Sequence, residues 1–194
     1  AAHCVWTTPD DWAILARNGV SAVTNPMSNL KLGSGIAPLK GLRQAGVNVA
    51  LGTDGVSSNN NHDMFEEMKF AAILHNGVTH DPLALLPRQV LAMASRDGAR
   101  ALGRRTGQIV PGYTADLILV DFDRPSLTPC HSVEDNLVYS ARGSDVVMNM
   151  ARGKIIYKDG TFFTLDLERI KAEVETYALP LLFGDGASLA DRRN

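Results

Sequence analysis

Short apolar runs closed by turn residues alternate, through the first part of the chain, with stretches whose apolar residues recur at helical spacing. This alternation predicts three strand-helix units. The first is a strand ending near Val5, followed by Thr8 as N-cap, Pro9 at the first helical position, Asp10 and Asp11 in the first turn, and a helix through Trp12, Ile14 and Leu15 to Asn18-Gly19. The second is Val20 to Thr24, halted by Asn25-Pro26, then a loop rich in Asn, Ser and Gly as far as Gly35, and a helix from Ile36 to Ala45 that Gly46 closes as a C-terminal cap. The third is Val47 to Leu51, apolar apart from Asn48, then Gly52-Thr53-Asp54-Gly55, an Asn/Ser-rich loop to Asn61, and a helix from Asp63 to His75. Near-continuous apolar strands separated by helices require a parallel sheet with covered faces, because only crossovers join parallel neighbours in so few residues. This part is therefore α/β.

Two further helices, Pro87 to Ala94 and Asp97 to Leu102, end at Gly103, and from Thr106 the texture becomes β-rich. Strand segments are expected at Gly107 to Ile109 and Ala115 to Asp121, with a hairpin formed by Val146 to Met150 and Lys154 to Tyr157 through Arg152-Gly153. A last helix, Leu167 to Leu181, carries Leu167, Ile170, Val174 and Leu181 at helical spacing, and the polar tail Gly184 to Asn194 is expected to fray.

Charge narrows the functions available. The 194 residues hold 19 Lys and Arg against 21 Asp and Glu, a net charge of −2, with no cationic block. Long-range attraction for phosphate backbones or anionic lipid is missing, so neither nucleic acid nor a membrane is an expected partner. No run approaches the roughly 20 apolar residues that span a bilayer. Cys4 and Cys130 form neither a Cys-x-x-Cys clip nor a dense disulfide pattern, which fits a reducing cytoplasm. The chain opens at Ala1 without Met, directly in an apparent buried strand, and is expected to be a piece of a longer protein.

In parallel α/β folds, chemistry gathers at the C-terminal ends of strands. Asp54 stands there between Gly52 and Gly55, where it can bind a divalent cation or hold a proton; it reads equally as a turn residue capping the next helix. His3 ends the first strand, as a second candidate or as a satisfied core histidine. His62, His75, His80 and His131 form no metal-binding spacing and read as surface or capping residues. Ser57 to Asn61 could offer hydroxyl and amide groups to a polar heterocycle or be only a loop, and Asn25, Asn29 and Lys31 share that ambiguity. A phosphate-binding Gly-rich loop and a nucleophile-elbow Ser are both missing.

Taken together, Ala2-His3-Cys4-Val5, the run Asn25-Pro26-Met27-Ser28-Asn29-Leu30-Lys31-Leu32-Gly33-Ser34-Gly35 and the run Leu51-Gly52-Thr53-Asp54-Gly55-Val56-Ser57-Ser58-Asn59-Asn60 resemble the amidohydrolase superfamily. The likeness is strongest to the branch of S-adenosylhomocysteine and 5′-methylthioadenosine deaminases, which also holds aminotriazine chlorohydrolases. Gly107-Gln108-Ile109, Gly112 to Leu117 and Arg152 to Gly160 are similar to that family's C-terminal β-sandwich strands. The resemblance implies the later part of a metal-dependent-hydrolase (β/α)8 barrel, strands six to eight, over residues 1–104. A portion of a small β-sandwich follows over 105–165, and a C-terminal helix and tail over 166–194.

It implies further that Asp54 is the strand-eight metal ligand and proton-transfer base. His3 would be the strand-six histidine that hydrogen-bonds the attacking water or the tetrahedral centre, and Ser58 a position near the purine; Asp54 would also contact substrate. The implied cofactor is one divalent ion, zinc or alternatively iron, which lowers the pKa of a bound water. The implied partner is a purine nucleoside, deaminated to the inosine-type product plus ammonia, by a full enzyme that could be a homo-oligomer. A chlorohydrolase, a guanine or cytosine deaminase, and a non-catalytic half-barrel binding module are the competing readings. The family's His-x-His pair, its strand-five histidine and its acidic proton donor have no counterpart in the chain, so the 194 residues alone are expected to be inactive and to expose an uncovered apolar face.

Overall fold

Thr8 starts the first helix as expected. In a computed structural model that describes residues 1–184, its hydroxyl accepts from Asp11 N while the Asp11 carboxylate accepts from Thr8 N at 2.8 Å, a reciprocal capping box ahead of Pro9. This helix, α1 (Pro9–Arg17), leads to β1 (Ala22–Thr24), α2 (Pro26–Lys31), α3 (Leu39–Gln44), β2 (Val49–Leu51), α4 (Val56–Asn59), α5 (Met64–Thr79), α6 (Pro87–Ala94) and α7 (Arg96–Ala101). β1 and β2 pair in parallel, with Ala22 opposite Val49, Val23 opposite Ala50 and Thr24 opposite Leu51. Ala2 makes a parallel bridge to Val23 on the other edge of β1. Three parallel segments thus stand side by side in chain order.

Several local expectations are corrected. The first strand is only the Ala2 bridge, because His3 and Cys4 turn into left-handed backbone (φ 62° and 52°) and end the pairing before Val5. The Asn/Ser/Gly stretch after Asn25 contains α2, started by Pro26 at its first position, and the stretch after Asp54 contains the single turn α4. α5 continues past His75 to Thr79 and ends at His80, whose left-handed φ of 54° is that of a C-terminal cap. Gly46 closes α3 at φ 84°, as expected.

The β-rich part is a four-stranded antiparallel sheet in the order β3 (Leu117–Val120), β4 (Val146–Ala151), β5 (Lys154–Lys158), β6 (Thr161–Phe162). The β4–β5 hairpin turns at Arg152-Gly153, both with positive φ (50° and 77°). Between β3 and β4 a short helix, α8 (Val133–Asp135), runs into a π turn over Asn136–Ser140. Gly107 to Ile109 is not a strand: Gly107 lies so near the α6–α7 junction that a Cβ would sit 2.6 Å from the Ser95 carbonyl oxygen. The last helix, α9 (Leu167–Glu173), passes through a π turn at Val174–Ala178 into α10 (Leu179–Phe183). Beyond Gly184, the expectation of a frayed tail lies outside the described residues.

Ala22, Val49 and Leu51 pack against Leu39 and Leu42 of α3, Ala71 of α5, and Val90 and Met93 of α6 to form the core. Large apolar side chains also stand open, including Trp6, Ile109 and Leu181. Among the described residues, no helix is long and apolar enough to cross a membrane.

α3 approaches α1 through Gly41, where a Cβ would come within 2.2 Å of the Trp12 ring, itself anchored by its Nε1–H donating to Thr7 Oγ1 at 2.9 Å. Gly41→Ala should therefore destabilise by about 1–3 kcal/mol through overpacking, outweighing a helix-propensity gain of under about 1 kcal/mol. A thermal melt in which this variant matched or exceeded the parent would show that the Trp12 ring moves aside without loss.

Candidate active site

The three parallel segments deliver their following residues to one end. β1 is followed by Asn25, whose Nδ2 donates to the Gly52 carbonyl at 2.9 Å, while Gly52 N donates back to Thr24 O at 3.0 Å. Gly52 leaves little room for a side chain: a Cβ would sit 3.0 Å from Asn25 Nδ2 and 3.3 Å from Val23 Cγ1. These contacts clamp the chain just before Asp54.

His3 and Asp54 share an unusual backbone. Both are left-handed, with φ of 62° and 63°, a conformation that disfavours residues bearing a Cβ by roughly 1–2 kcal/mol each. The strain aims both side chains at the same place, and His3 Nε2 lies 3.9 Å from Asp54 Oδ2. That separation is short enough for one oxygen to lie within hydrogen-bond reach of both atoms.

α2 supplies the supports. Ser28 Oγ donates to Asp54 Oδ2 at 2.7 Å, and His3 Nδ1 donates to Asn29 Oδ1 at 2.9 Å. An amide carbonyl only accepts, so this bond puts the proton on Nδ1 and leaves Nε2 of the neutral ring with a lone pair toward Asp54. Gly55 N donates to Asp54 Oδ1 at 2.9 Å. The Ser28 hydroxyl first, then the Gly55 amide, hold the Asp54 carboxyl below the usual carboxylate range. Asp54 is accordingly an anion at neutral pH. It is partly open to solvent and does not cap α4, whose N-cap is Gly55.

The Ser57 to Asn61 segment divides. Ser58, half-buried, donates its hydroxyl to the Gly55 carbonyl at 3.0 Å. Asn59 is buried and structural, with Nδ2 donating to Thr53 O and to Glu67 Oε1, each at 2.7 Å. Lys31 ties α2 to this segment, donating to Ser57 O at 3.4 Å and to the Asn60 side chain. Among the other histidines, His62, His80 and His131 are exposed, whereas His75 is buried in α5, where desolvation lowers its pKa to about 4; the surface reading is corrected for it.

Two contributors were not singled out by sequence pattern. Ser28 lay inside a motif without a role of its own. Glu67 is fully buried yet carries a carboxyl; burial pushes it up to about 7, and the charges of Glu66 and Asp54 act in the same direction. Its signal was helical spacing, since Glu67, Ala71 and His75 recur at i, i+4 and i+8 on the buried face of α5.

A metal site needs several donors at once. Among the described residues, no three His, Cys, Asp or Glu side chains come together in a group able to hold an ion. Asp54 fits as one carboxylate ligand, and these residues by themselves complete no shell.

A carboxylate and a histidine thus meet at the C-terminal ends of parallel segments, in a chain that also carries a small antiparallel sheet. Residues 1–156 match the amidohydrolase family, and the chain belongs to it. Over 182 residues it is 50% identical to a 5′-deoxyadenosine deaminase of Methanosarcina mazei, a match covering 94% of this chain and 42% of that protein. A 5-methylthioadenosine/S-adenosylhomocysteine deaminase of Moorella thermoacetica is 52% identical over 176 residues, covering 90% of this chain and 41% of that one. Among solved structures, an adenosine deaminase from Xanthomonas campestris with bound zinc superposes with a TM-score of 0.86 at 39% identity, covering 89% of this chain and 40% of that one. The chain spans about two fifths of the length of the relatives it matches.

The raised Glu67 pKa gives a stability prediction with a definite sign. Between the ordinary value of 4.5 and about 7, the folded protein holds a proton on Glu67 that the unfolded chain releases, so stability falls as pH rises through this window. Glu67→Gln lacks that proton linkage, and its melting temperature relative to the parent should climb from pH 5 to pH 7.5 and then level off. The full swing is on the order of 3 kcal/mol. A difference that stays flat across the window would show that Glu67 titrates as an ordinary carboxyl.

Proposed function

We propose that the protein carrying this chain is a metal-dependent hydrolytic deaminase that converts an adenosine-type nucleoside to the inosine-type product and ammonia. The observation that carries the reading is the His3–Asp54 pair, 3.9 Å apart at one end of parallel segments, in a chain about half identical to proteins named as deaminases of 5′-deoxyadenosine and of 5-methylthioadenosine/S-adenosylhomocysteine. Residues 1–104 are read as barrel, 105–165 as a portion of the β-sandwich, and 166–194 as the closing helix and tail.

Asp54 acts as the base, and its own environment limits how. A carboxylate held below its usual range by the Ser28 hydroxyl and the Gly55 amide is too weak to deprotonate ordinary water, so the water must itself be acidified. A divalent ion, zinc in this reading, supplies that acidity when bound, with Asp54 as the ligand contributed here. Asp54 then takes the water proton and passes it on toward the departing amino group. His3, oriented by Asn29, presents Nε2 to the attacking oxygen and to the tetrahedral centre at the amino-bearing carbon. Ser58 lies at the edge of the site, on the side read as facing the purine.

The test is to express the complete reading frame that contains this chain and measure ammonia release from 5′-deoxyadenosine, 5′-methylthioadenosine and S-adenosylhomocysteine. Turnover of at least one is expected, and Asp54→Asn should lower kcat by about 100-fold or more with the fold intact. An Asp54→Asn protein of near-normal turnover would rule out its role as base. The 194-residue chain alone should release no ammonia; measurable turnover from a monodisperse 20.9 kDa species would overturn the dependence on further ligands.

A further inference from the structure

A buried carboxyl in a helix packed against the core demands an explanation that packing does not provide. An apolar side chain at the position of Glu67 would pack as Ala71 does one turn on, and would avoid the penalty of withdrawing a carboxyl from water. What distinguishes Glu67 is the pair of segments it holds. Its Oε2 accepts from Met27 N, in the first turn of α2, at 3.4 Å. Its Oε1 accepts from Asn59 Nδ2 at 2.7 Å, and the same amide nitrogen donates to the carbonyl of Thr53.

Each segment is one residue from the candidate chemistry. Next to Met27 stands Ser28, which hydrogen-bonds Asp54, and then Asn29, which hydrogen-bonds His3. Thr53 directly precedes Asp54 and its left-handed backbone. Asn59 Oδ1 is buried without a partner among the described residues, so the amide is oriented by what its nitrogen binds, Thr53 and Glu67.

We infer that Glu67 is a positioning residue for the reaction: its buried carboxyl joins α2 to the loop after β2 and so fixes His3 and Asp54 relative to each other. The inference rests on the reading of those two residues as the catalytic pair. Glu67 touches no substrate, and its effect is exerted through the placement of the pair.

The test compares Glu67→Gln, Asn59→Ala and the double variant in the complete protein, with Lys69→Ala on the exposed side of α5 as control. Because Gln can preserve only one of the two accepted bonds, kcat should fall about 10- to 100-fold, as for a sub-ångström to 1 Å misplacement. KM should change less than about threefold, since no substrate contact is lost. The double variant should be no more than about threefold worse than the poorer single one, because both act through the same link. An activity-independent readout is the His3 ring Cε1–H resonance, assigned with His3→Gln: it should move in Glu67→Gln and stay in place in Lys69→Ala.

Folded Glu67→Gln with kcat within about twofold of the parent, or losses that multiply in the double variant, would overturn the positioning role. If Glu67→Gln does not fold, Asn59→Ala decides alone by the same criteria. A parent protein that releases no ammonia from any adenosine derivative overturns the deaminase reading instead; the His3 resonance then decides the positioning role, a shift supporting it and an unmoved signal refuting it.

Discussion

Parallel pairing of two three-residue strands is the constraint on which the rest of the structure depends. The register that sets Thr24 opposite Leu51 also sets Asn25 beside Gly52, and the Ala2–Val23 bridge places His3 at the same level on the other edge. Residues 51 positions apart in sequence thereby meet at 3.9 Å. So short a pairing is held by what covers it: Leu39 and Leu42 of α3, Ala71 of α5, and Val90 and Met93 of α6 close over Ala22, Val49 and Leu51. A slip of one residue would turn the faces over, exposing that core and carrying Asp54 away from His3, so burial and site geometry are enforced by the same register.

The two carboxyls near this end are driven apart by their surroundings. Asp54 is partly open and accepts hydrogen bonds, which favours the anion; Glu67 is sealed in the core, which favours the neutral acid. Their roles follow from that separation. An anion at the strand end can receive a proton or bind a cation, while a partly protonated acid beneath it can join segments without adding a second full charge close to the first.

Much of this organisation was readable in the sequence because its signals are local. Thr8, Pro9 and Asp11 determine a capping box among themselves, Gly46 supplies the left-handed cap of α3, and the apolar runs through Val23 and Ala50 are strands under any reading. α2 and α4 were hidden because Asn, Ser and Gly ordinarily favour turns, and these helices owe their formation to distant partners. Met27 N bonds Glu67 and Lys31 bonds the segment after Asp54, neither of which is visible from composition. The first strand was overextended for the converse reason: Ala2, Cys4 and Val5 favour a buried strand, but the backbone turns left-handed at His3 and Cys4. Propensity failed there because two successive left-handed residues cannot continue a strand ladder.

The arrangement also separates what this chain holds in place by itself from what the proposed reaction would need besides. Every group that orients His3 and Asp54, from Ser28 and Asn29 to Gly55, Asn59 and Glu67, lies within the same 67 residues. The carboxylate and its histidine neighbour are therefore held by this chain's own hydrogen bonds, which on the proposed reading preorganises them for the reaction. On the proposed reading the ligand set is the opposite case: Asp54 would supply one carboxylate, and among the described residues no group of three donors comes together to hold an ion. Geometry that must be held to a fraction of an ångström is thus encoded locally, in short hydrogen-bonded loops around one strand end. Affinity for the ion in the proposed reaction, which grows with the number of ligands, would need donors in addition to Asp54.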